Sequence, residues 1–407
     1  MKTGEFLRSN FNWLLAGFLM TFASSFGQTF FISLFAGDIR SEFGLSHGAW
    51  GGIYMISTLA SAAVMVWTGA LTDTVRVRSL CIMIFAGFIL ACIAMSGVRS
   101  IWLLFPIIFT LRLSGQGMLS HISGVAMSRW FVAARGRALA FSGLGYSVGE
   151  ALLPIIFVTL ITWIGWRGSW LIAATILMIV GPVVLYLLRS ERTPQSQVEN
   201  SQSMGLDNRH WTRSEVLRLP LFLFILPLMT SPSTFGTSFF FQQVHYVEII
   251  GIPHSALAAL FPLFTIVSIG FMILSGWLID QFGTSRIIPL FQLPMAVGFL
   301  FFSAADSAVG VALGMICFGM TSGMNATIQS ALWAEFFGTK HLGSIKAMAV
   351  AFMVLGSAIG PGLTGWLIDQ GVTFPEQMPW ITGYFIFSSA MAAIGIGQVR
   401  SRLPRAS

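Results

Sequence analysis

Apolar residues in this chain come in long unbroken runs. They form neither the alternation of a half-buried strand nor the one-sided stripe of a soluble helix. Glycine, proline and charged residues punctuate the runs and divide them into twelve predicted helical spans. These lie near 11–36, 47–71, 79–97, 101–127, 137–164, 166–188, 218–247, 254–279, 286–304, 308–334, 344–369 and 378–399. At about 1.5 Å per residue, each approaches or exceeds the roughly 30 Å apolar core of a bilayer. The longest polar stretch, 189–217, separates two sets of six. It is poor in aliphatics and reads as a linker with a short helix around "TRSEVLR". The expected architecture is an all-α membrane protein of two six-helix bundles, 1–188 and 218–407, joined by the linker 189–217. Lys2 and Arg8 precede an apolar run from Phe11 to about Ala36. That run exceeds a signal-peptide core of roughly 7 to 15 residues and reads as a retained first span.

Composition agrees with this pattern. The chain has 407 residues, 55% hydrophobic and 9% charged, against about 25% charged in soluble domains. Cys81, Cys92 and Cys317 lie inside apolar runs without pairing or metal spacing, so they read as packing residues. The net charge of +7 is spread over short loops and does not form a nucleic-acid patch. Of the 22 Lys and Arg, Arg112 falls within a span; Arg40, Arg99 and Arg167 fall on one side and the other eighteen on the opposite side. By the positive-inside rule both termini are expected in the cytoplasm. Trp13, Trp50, Trp102, Trp130, Trp163, Trp166, Trp333 and Trp380 cluster near predicted span ends, where an amphipathic ring is favoured. No Walker motif, nucleophile–base cluster, metal set or cofactor loop is found, which argues against an enzyme or ATP-driven pump.

The two halves repeat. "FGQTFF" (26–31) matches "FGTSFF" (235–240), and "GLSH" (44–47) matches "GIPH" (251–254). "VMVWTGALTD" (64–73) matches "FMILSGWLID" (271–280). "GMLSHISGVAMSRWF" (117–131) matches "GMNATIQSALWAEFF" (323–337), and "GYSVGE" (145–150) matches "GSAIGP" (356–361). Five matches in order, at offsets of 206 to 211, indicate a duplicated six-helix unit. "GWLIDQ" at 276–281 and 365–370 hints at a smaller nested unit.

With these residues in view, the whole chain resembles a major facilitator superfamily transporter. The family signature after the second span is matched at Gly69, Asp73 and Arg78; Thr74 and Arg76 depart, at the places of its basic residue and second glycine. The second copy keeps Gly276, Asp280 and Gly283, with Arg286 about one place late. "RLSGQG", with Arg112, Gly115 and Gly117, is similar to the family's fourth-span pattern. "SRWFVAARGRALA" and "GQTFFISLF" are similar to the monocarboxylate and oxalate–formate branch. That branch carries a cation within the eighth or eleventh span. Here 254–279 has none, and 344–369 has only Lys346 at its end. Arg112 would then have to supply the charge for a carboxylate. The resemblance implies a cytoplasmic gate at Gly69, Asp73, Arg78, Gly276, Asp280 and Arg286; the plainer reading is solvated loop charge pairs.

An ionisable group at bilayer depth is costly unless paired or wetted, so it marks function by default. Glu150 is the only charged side chain from Ala138 to Trp166. Arg112 lies 20 residues before the apex of the fourth–fifth hairpin near Val132 and Glu150 lies 18 after it. At about 1.5 Å per residue their depths differ by roughly 3 Å, so they can meet if the helix faces agree. A pair that opens with a change of state is a coupling device; a permanent pair locks two helices.

Further polar candidates lie on the first, fourth, seventh and tenth spans, which line the cavity in the resembling family. Gln28 is mid-depth in the first span, and Gln116 lies one turn from Arg112. His121 lies nine residues on from Arg112, so it points almost to the opposite side, toward a cavity or into close helix packing beside Gly117 and Gly124. Thr321, Asn325 and Gln329 form a stripe at four-residue spacing. Gln242 and His245 share a face near an outer end, where a histidine serves proton entry or simply sits at the interface. Gly143, Gly145 and Gly149 allow close helix approach. The family's Gly-x-x-x-Gly-Pro element ends here in Glu150 in the first half and in Pro361 in the second.

The leading expectation is a secondary transporter of a small organic solute, a carboxylate being one option. It would be driven by protons, act as a monomer in a bacterial inner membrane, and have no cofactor, metal or nucleic-acid partner. A multidrug exporter is the alternative, favoured by the Phe-rich "FGTSFFF". A transporter-like sensor is the alternative of another class.

Overall fold

The computed structural model describes residues 8–69, 71–131, 135–189, 204–338 and 340–402. The side chains of Asp73, Thr74, Arg135, Asp280, Ala326 and Ser330 lie outside this description. Among the described residues the chain is helical without strands. It divides into two compact units, residues 1–200 and 201–407.

Among the described residues nine helices are long and apolar enough to cross a membrane, or ten if Phe11–Gly27 and Thr29–Phe43, bent by 46°, form one span. Helix Gly136–Leu187 has 52 residues, about 78 Å along its axis, far more than one bilayer core needs. Its backbone breaks at Gly165, φ 70° and ψ 170°, a conformation that only glycine adopts without strain. Leu293–Ala304 is apolar but shorter. The remaining apolar runs expected from the sequence lie in the second arm of Gly136–Leu187 and in the shorter Leu293–Ala304.

In the first unit, Phe11–Ser24 packs along the long helix that begins at Arg135, Val77–Gly97 packs against the same helix, and His47–Thr68 packs against Ile101–Leu111 and Arg112–Leu119. In the second unit, Pro220–Phe241 packs on Leu342–Asp369, Phe261–Phe282 on Ala308–Phe337, and Leu293–Ala304 on Phe374–Val399. Both units therefore pair first with fifth, second with fourth and third with sixth.

Repeat-matched glycines make one of these pairings possible. A Cβ on Gly145 would stand 2.0 Å from the Phe18 carbonyl oxygen, and one on Gly149 would stand 2.1 Å from Ser25 Oγ. In the second unit, a Cβ on Gly360 would stand 2.4 Å from the Thr234 carbonyl oxygen. Gly143 meets nothing within 4 Å, so close approach involves Gly145 and Gly149 but not the third glycine expected.

Aromatic clusters fill both interiors: Phe26, Phe31, Phe157 and Trp170 in the first unit, Phe239, Phe299, Phe302 and Phe318 in the second. Val66, Leu90, Ile179, Ile273 and Val309 face outward and exposed. So much exposed aliphatic surface needs lipid as its solvent. Trp102, Trp163 and Trp380 are also highly exposed, whereas Trp50, Trp130 and Trp333 are buried inside their units. The expected tryptophan belt is thus only part of the set; the other rings are packing residues.

The expected linker, 189–217, is described only in part. Positions 190–203 lie outside the described residues. The rest, from 204 on, is docked onto the second unit. Leu206, Trp211 and Val216 are buried in one cluster with Trp333, Phe336 and Phe337. The Trp211 N–H donates to the Phe337 carbonyl at 3.0 Å. Arg402 grips Asp207 with two hydrogen bonds, one of them Nε to Oδ1 at 2.8 Å. That guanidinium holds the Asp207 carboxyl below the usual carboxylate range. The helix expected around "TRSEVLR" is Arg213–Arg218, started by a capping box between Thr212 and Glu215. The Thr212 N–H, followed by its hydroxyl, lowers the Glu215 carboxyl. The signal overlooked was Trp211, a large ring that a free linker has no reason to carry.

Candidate functional site

Two helices lose regular geometry at one place in the first unit. The first breaks after Gly27, where Gln28 is extended (φ −83°, ψ 157°). The fourth becomes a π-helix over Arg112–Leu119, a distortion that concentrates at functional sites. The irregular segments touch: a Cβ on Gly27 would stand 2.2 Å from the Leu111 carbonyl oxygen and 2.8 Å from Gly115 Cα.

Arg112 fills this junction, with 1% of its surface exposed. Its Nη1 donates to the Gly27 carbonyl at 3.1 Å and to Thr29 Oγ1 at 3.3 Å. The guanidinium carbon lies 5.1 Å from the centre of the Tyr54 ring. Its Nε and Nη2 are buried and have no hydrogen-bond partner among the described residues. A buried guanidinium with two idle nitrogens has donors that an anion can use.

Glu150 is buried nearby and accepts a hydrogen bond from Tyr146 Oη at 3.1 Å. No ion pair joins Arg112 and Glu150 among the described residues. This corrects the direct pair that their depths allowed. Tyr146 holds Glu150 whereas Gly27, Thr29 and Tyr54 surround Arg112, and the Tyr146 ring packs edge-on to Phe30 at 6.0 Å. Depth fixes only one coordinate, and matched depth leaves the two side chains facing different partners.

The other expected residues are dispersed. Gln28 is buried at the helix break and Gln116 half-buried on the π-helix. His121 is apart from Arg112: its Nε2 lies 3.5 Å from Thr72 Oγ1. It lines a cavity of about 510 Å³ with Ser120, Ser128 and Arg129. Asn325 and Gln329 bond to each other at 2.7 Å. Thr321 leaves their stripe to bond the Met295 N–H and the Phe291 carbonyl. Gln242 donates to Thr364 Oγ1 at 3.2 Å. His245 is buried, its Nε2 accepting from the Phe374 N–H at 3.5 Å, which differs from an exposed outer histidine.

At the expected gate, the Asp73 and Asp280 side chains lie outside the described residues. Arg78 and Arg286 are exposed, and neither makes an ion pair among the described residues. Gly69 lies against Met65 and His121, whereas Gly276 meets nothing within 4 Å. Arg129, not expected here, holds the loop by donating to the Thr72 carbonyl at 2.7 Å. Thr29, Tyr54, Thr72 and Tyr146 were also missed. The available signal was scarcity: the chain has 37 Phe but only 5 Tyr, so each hydroxyl is a departure from the usual ring.

Two helical units of one pairing scheme, lipid-facing outside, define the class of multi-pass membrane proteins, and the first unit holds a buried arginine at a helix break. The Major Facilitator Superfamily model matches residues 17–361 and 223–405. The chain belongs to this family and is a multi-pass membrane transporter, not an enzyme.

Among solved structures, it is similar to a bacterial homologue of the human lysosomal transporter Spinster, with 14% identity, TM-score 0.73 and coverage of 97% of this chain and 98% of that one. It is similar to a D-xylose–proton symporter at 15% identity and TM-score 0.70, covering 97% and 98%. Likeness to a nucleoside transporter has 11% identity and TM-score 0.69, again covering 97% and 98%. At these identities the likeness is one of fold. Among curated proteins, a multidrug resistance protein B homologue of Mycobacterium tuberculosis is 33% identical over 94 residues, 23% of this chain and 17% of that protein. An MFS-type transporter of Gibberella moniliformis is 25% identical over 260 residues, 63% of this chain and 60% of that protein. The matches thus span less than two thirds of these relatives' lengths.

Proposed function

We propose that this transporter moves a small organic solute by alternating access of its two units, driven by protons, with Arg112 as the solute's anchor and Glu150 as the proton carrier. The observation that carries this reading is the buried Arg112 with two nitrogens idle among the described residues, in the same unit as a buried carboxyl held by Tyr146. An anionic group on the solute, such as a carboxylate, would complete the hydrogen bonding of Nε and Nη2. Among the described residues Glu150 has no salt bridge to break before accepting a proton, and its carboxyl is held by Tyr146 Oη. In this reading the chain has twelve spans, divided 1–188, 189–217 and 218–407. It is monomeric, in a bacterial inner membrane, with both termini cytoplasmic. The family's gate places at Gly69, Asp73, Arg78, Gly276, Asp280 and Arg286 serve the switch between states.

The experiment is solute-driven proton movement in proteoliposomes. A trapped pH dye reports coupling while carboxylates, sugars and nucleosides are added in turn. Glu150→Gln should abolish pH-driven accumulation and leave solute exchange largely intact. Accumulation at the wild-type rate would remove Glu150 from coupling. A preferred neutral solute indifferent to Arg112→Lys would remove Arg112 from binding. The second reading is export of amphipathic compounds, favoured by the short match to the multidrug resistance homologue. Dye extrusion without carboxylate movement would select it.

A further inference from the structure

Away from the transport site, the first unit carries a cavity of about 380 Å³ between the start of helix Val77–Gly97 and the end of the long helix. Arg76, Arg78 and Arg189 converge on it, with Ser79 beside them. Among the described residues none of the three guanidiniums has a hydrogen bond or ion pair with a side-chain carboxylate. Arg189 lies over the Tyr186 ring at 4.4 Å, which orients it without neutralising it. Three like charges around one cavity repel one another unless an anion lies between them. Arg76 is itself a departure, standing where the family signature resembled here has a glycine.

The other wall indicates what kind of anion fits. Ile82 lines the cavity and is half exposed; Met83, Ile179, Val183 and Tyr186 continue outward and exposed on the same two helices. Below the cavity these helices close on each other, with Phe85 3.3 Å from a Cβ placed on Gly181. A ligand seated here has its charge among arginines and its remaining surface on an apolar, outward face.

We propose that this cavity binds the phosphodiester headgroup of an anionic phospholipid, with its acyl chains along the Ile82–Tyr186 face. A guanidinium fork matches two phosphodiester oxygens, and Ser79 supplies a hydroxyl donor. Free phosphate shares the headgroup chemistry but leaves the apolar wall unused. The site is independent of Arg112 and Glu150 and of the transport reading.

The test is native mass spectrometry of the purified full chain in detergent, titrated with phosphatidylglycerol or with phosphatidylcholine of the same acyl chains. Phosphatidylglycerol is expected to be retained preferentially. Each single Arg→Gln change at Arg76, Arg78 or Arg189 should weaken it about fivefold, and the triple change about a hundredfold, from the usual worth of a basic residue at an anionic lipid surface. The triple Arg→Lys variant should keep most of the binding, and Arg99→Gln, an exposed arginine elsewhere in the unit, should change nothing. Excess inorganic phosphate should fail to displace the lipid. Undiminished retention in the single and triple Gln variants overturns the proposal. Displacement by inorganic phosphate, with no preference for acyl-bearing ligand, also overturns it and identifies a soluble-phosphate site.

Discussion

The junction between the broken first helix and the π-helical fourth can be tested with one methyl group. In Gly27→Ala the new Cβ would lie 2.2 Å from the Leu111 carbonyl oxygen and 2.8 Å from Gly115 Cα. Both obstacles are backbone, so no rotamer relieves them, and ordinary contact needs about 3.5 Å. The segments must part by about 1 Å. The Arg112 Nη1 bond to the Gly27 carbonyl, now 3.1 Å, then lengthens beyond hydrogen-bonding range. Overpacking costs about 1–3 kcal/mol, and a charge-assisted hydrogen bond contributes about 1.5–3 kcal/mol. A combined loss of about 3 kcal/mol corresponds to a change of roughly a hundredfold. The readout is thiol labelling on heating in detergent, because Cys81 and Cys92 are fully buried in this unit. If the loss falls mainly on the unfolding step, Gly27→Ala should label up to a hundred times faster than wild type. Gly143→Ala, where nothing lies within 4 Å, should label at the wild-type rate. Gly27→Ala combined with Gly115→Ala should cost less than the sum, since both methyls enter one contact. Wild-type labelling in Gly27→Ala, or strict additivity in the double variant, would refute the junction.

Three further perturbations probe the same structure. Tyr146→Phe keeps the ring packed on Phe30 but removes the hydroxyl from Glu150; it should impair pH-driven accumulation in proteoliposomes while thermal labelling changes by no more than about 1 kcal/mol. Trp211→Ala should destabilise docking of the 204–218 segment by about 3–5 kcal/mol, read as faster protease cleavage there with the rest of the second unit intact. Asp207, held below its usual range by Arg402, contributes docking stability that is fully present above the unfolded carboxylate value of about 3.9. That contribution fades as pH falls through the lower folded value. Cleavage near 204–218 should therefore be flat from neutral pH down to about 4 and rise below it; Asp207→Asn should reduce the pH dependence, and the part that remains belongs to Glu215, held low by Thr212.

The spans, their division into two sets and the repeat were legible because lipid imposes a strong rule on composition. A run of apolar residues has few alternatives at that length. The glycine matches were legible for a related reason: Gly145 with Gly356, and Gly149 with Gly360, recur where close approach of the unit's first helix forbids a Cβ. The break at Gly27–Gln28 and the π-helix at Arg112–Leu119 were not legible. Neither carries a proline, and each depends on the other helix for its geometry. Arg112 and Glu150 were identified by cost, since any charge at that depth stands out. Their partners were not, because rise per residue gives depth but not azimuth, and the π segment further alters the rotation between Arg112 and the residues C-terminal to it. Tyr146 lies one turn before Glu150, at the spacing where helical side chains meet, and was within reach of the sequence.

The repeat also shows where the duplicated units stopped being chemically equivalent. Gly149–Glu150 and Gly360–Pro361 occupy the same place in the two halves, each behind a glycine pressed on its unit's first helix. In the second unit the Pro361 carbonyl and Thr364 hydroxyl accept from Gln242, and Asn325 and Gln329 satisfy each other. Those polar groups pair with one another inside their unit. In the first unit the same position carries a carboxyl held by a tyrosine, and Arg112 keeps two nitrogens idle among the described residues. Leaving buried donors unpaired costs on the order of 1–3 kcal/mol each. Under the proposed function, a ligand's anion is the natural partner for those nitrogens. Duplication supplied two equivalent scaffolds, and under the proposed function the charge chemistry of transport falls in the one that carries Arg112 and Glu150.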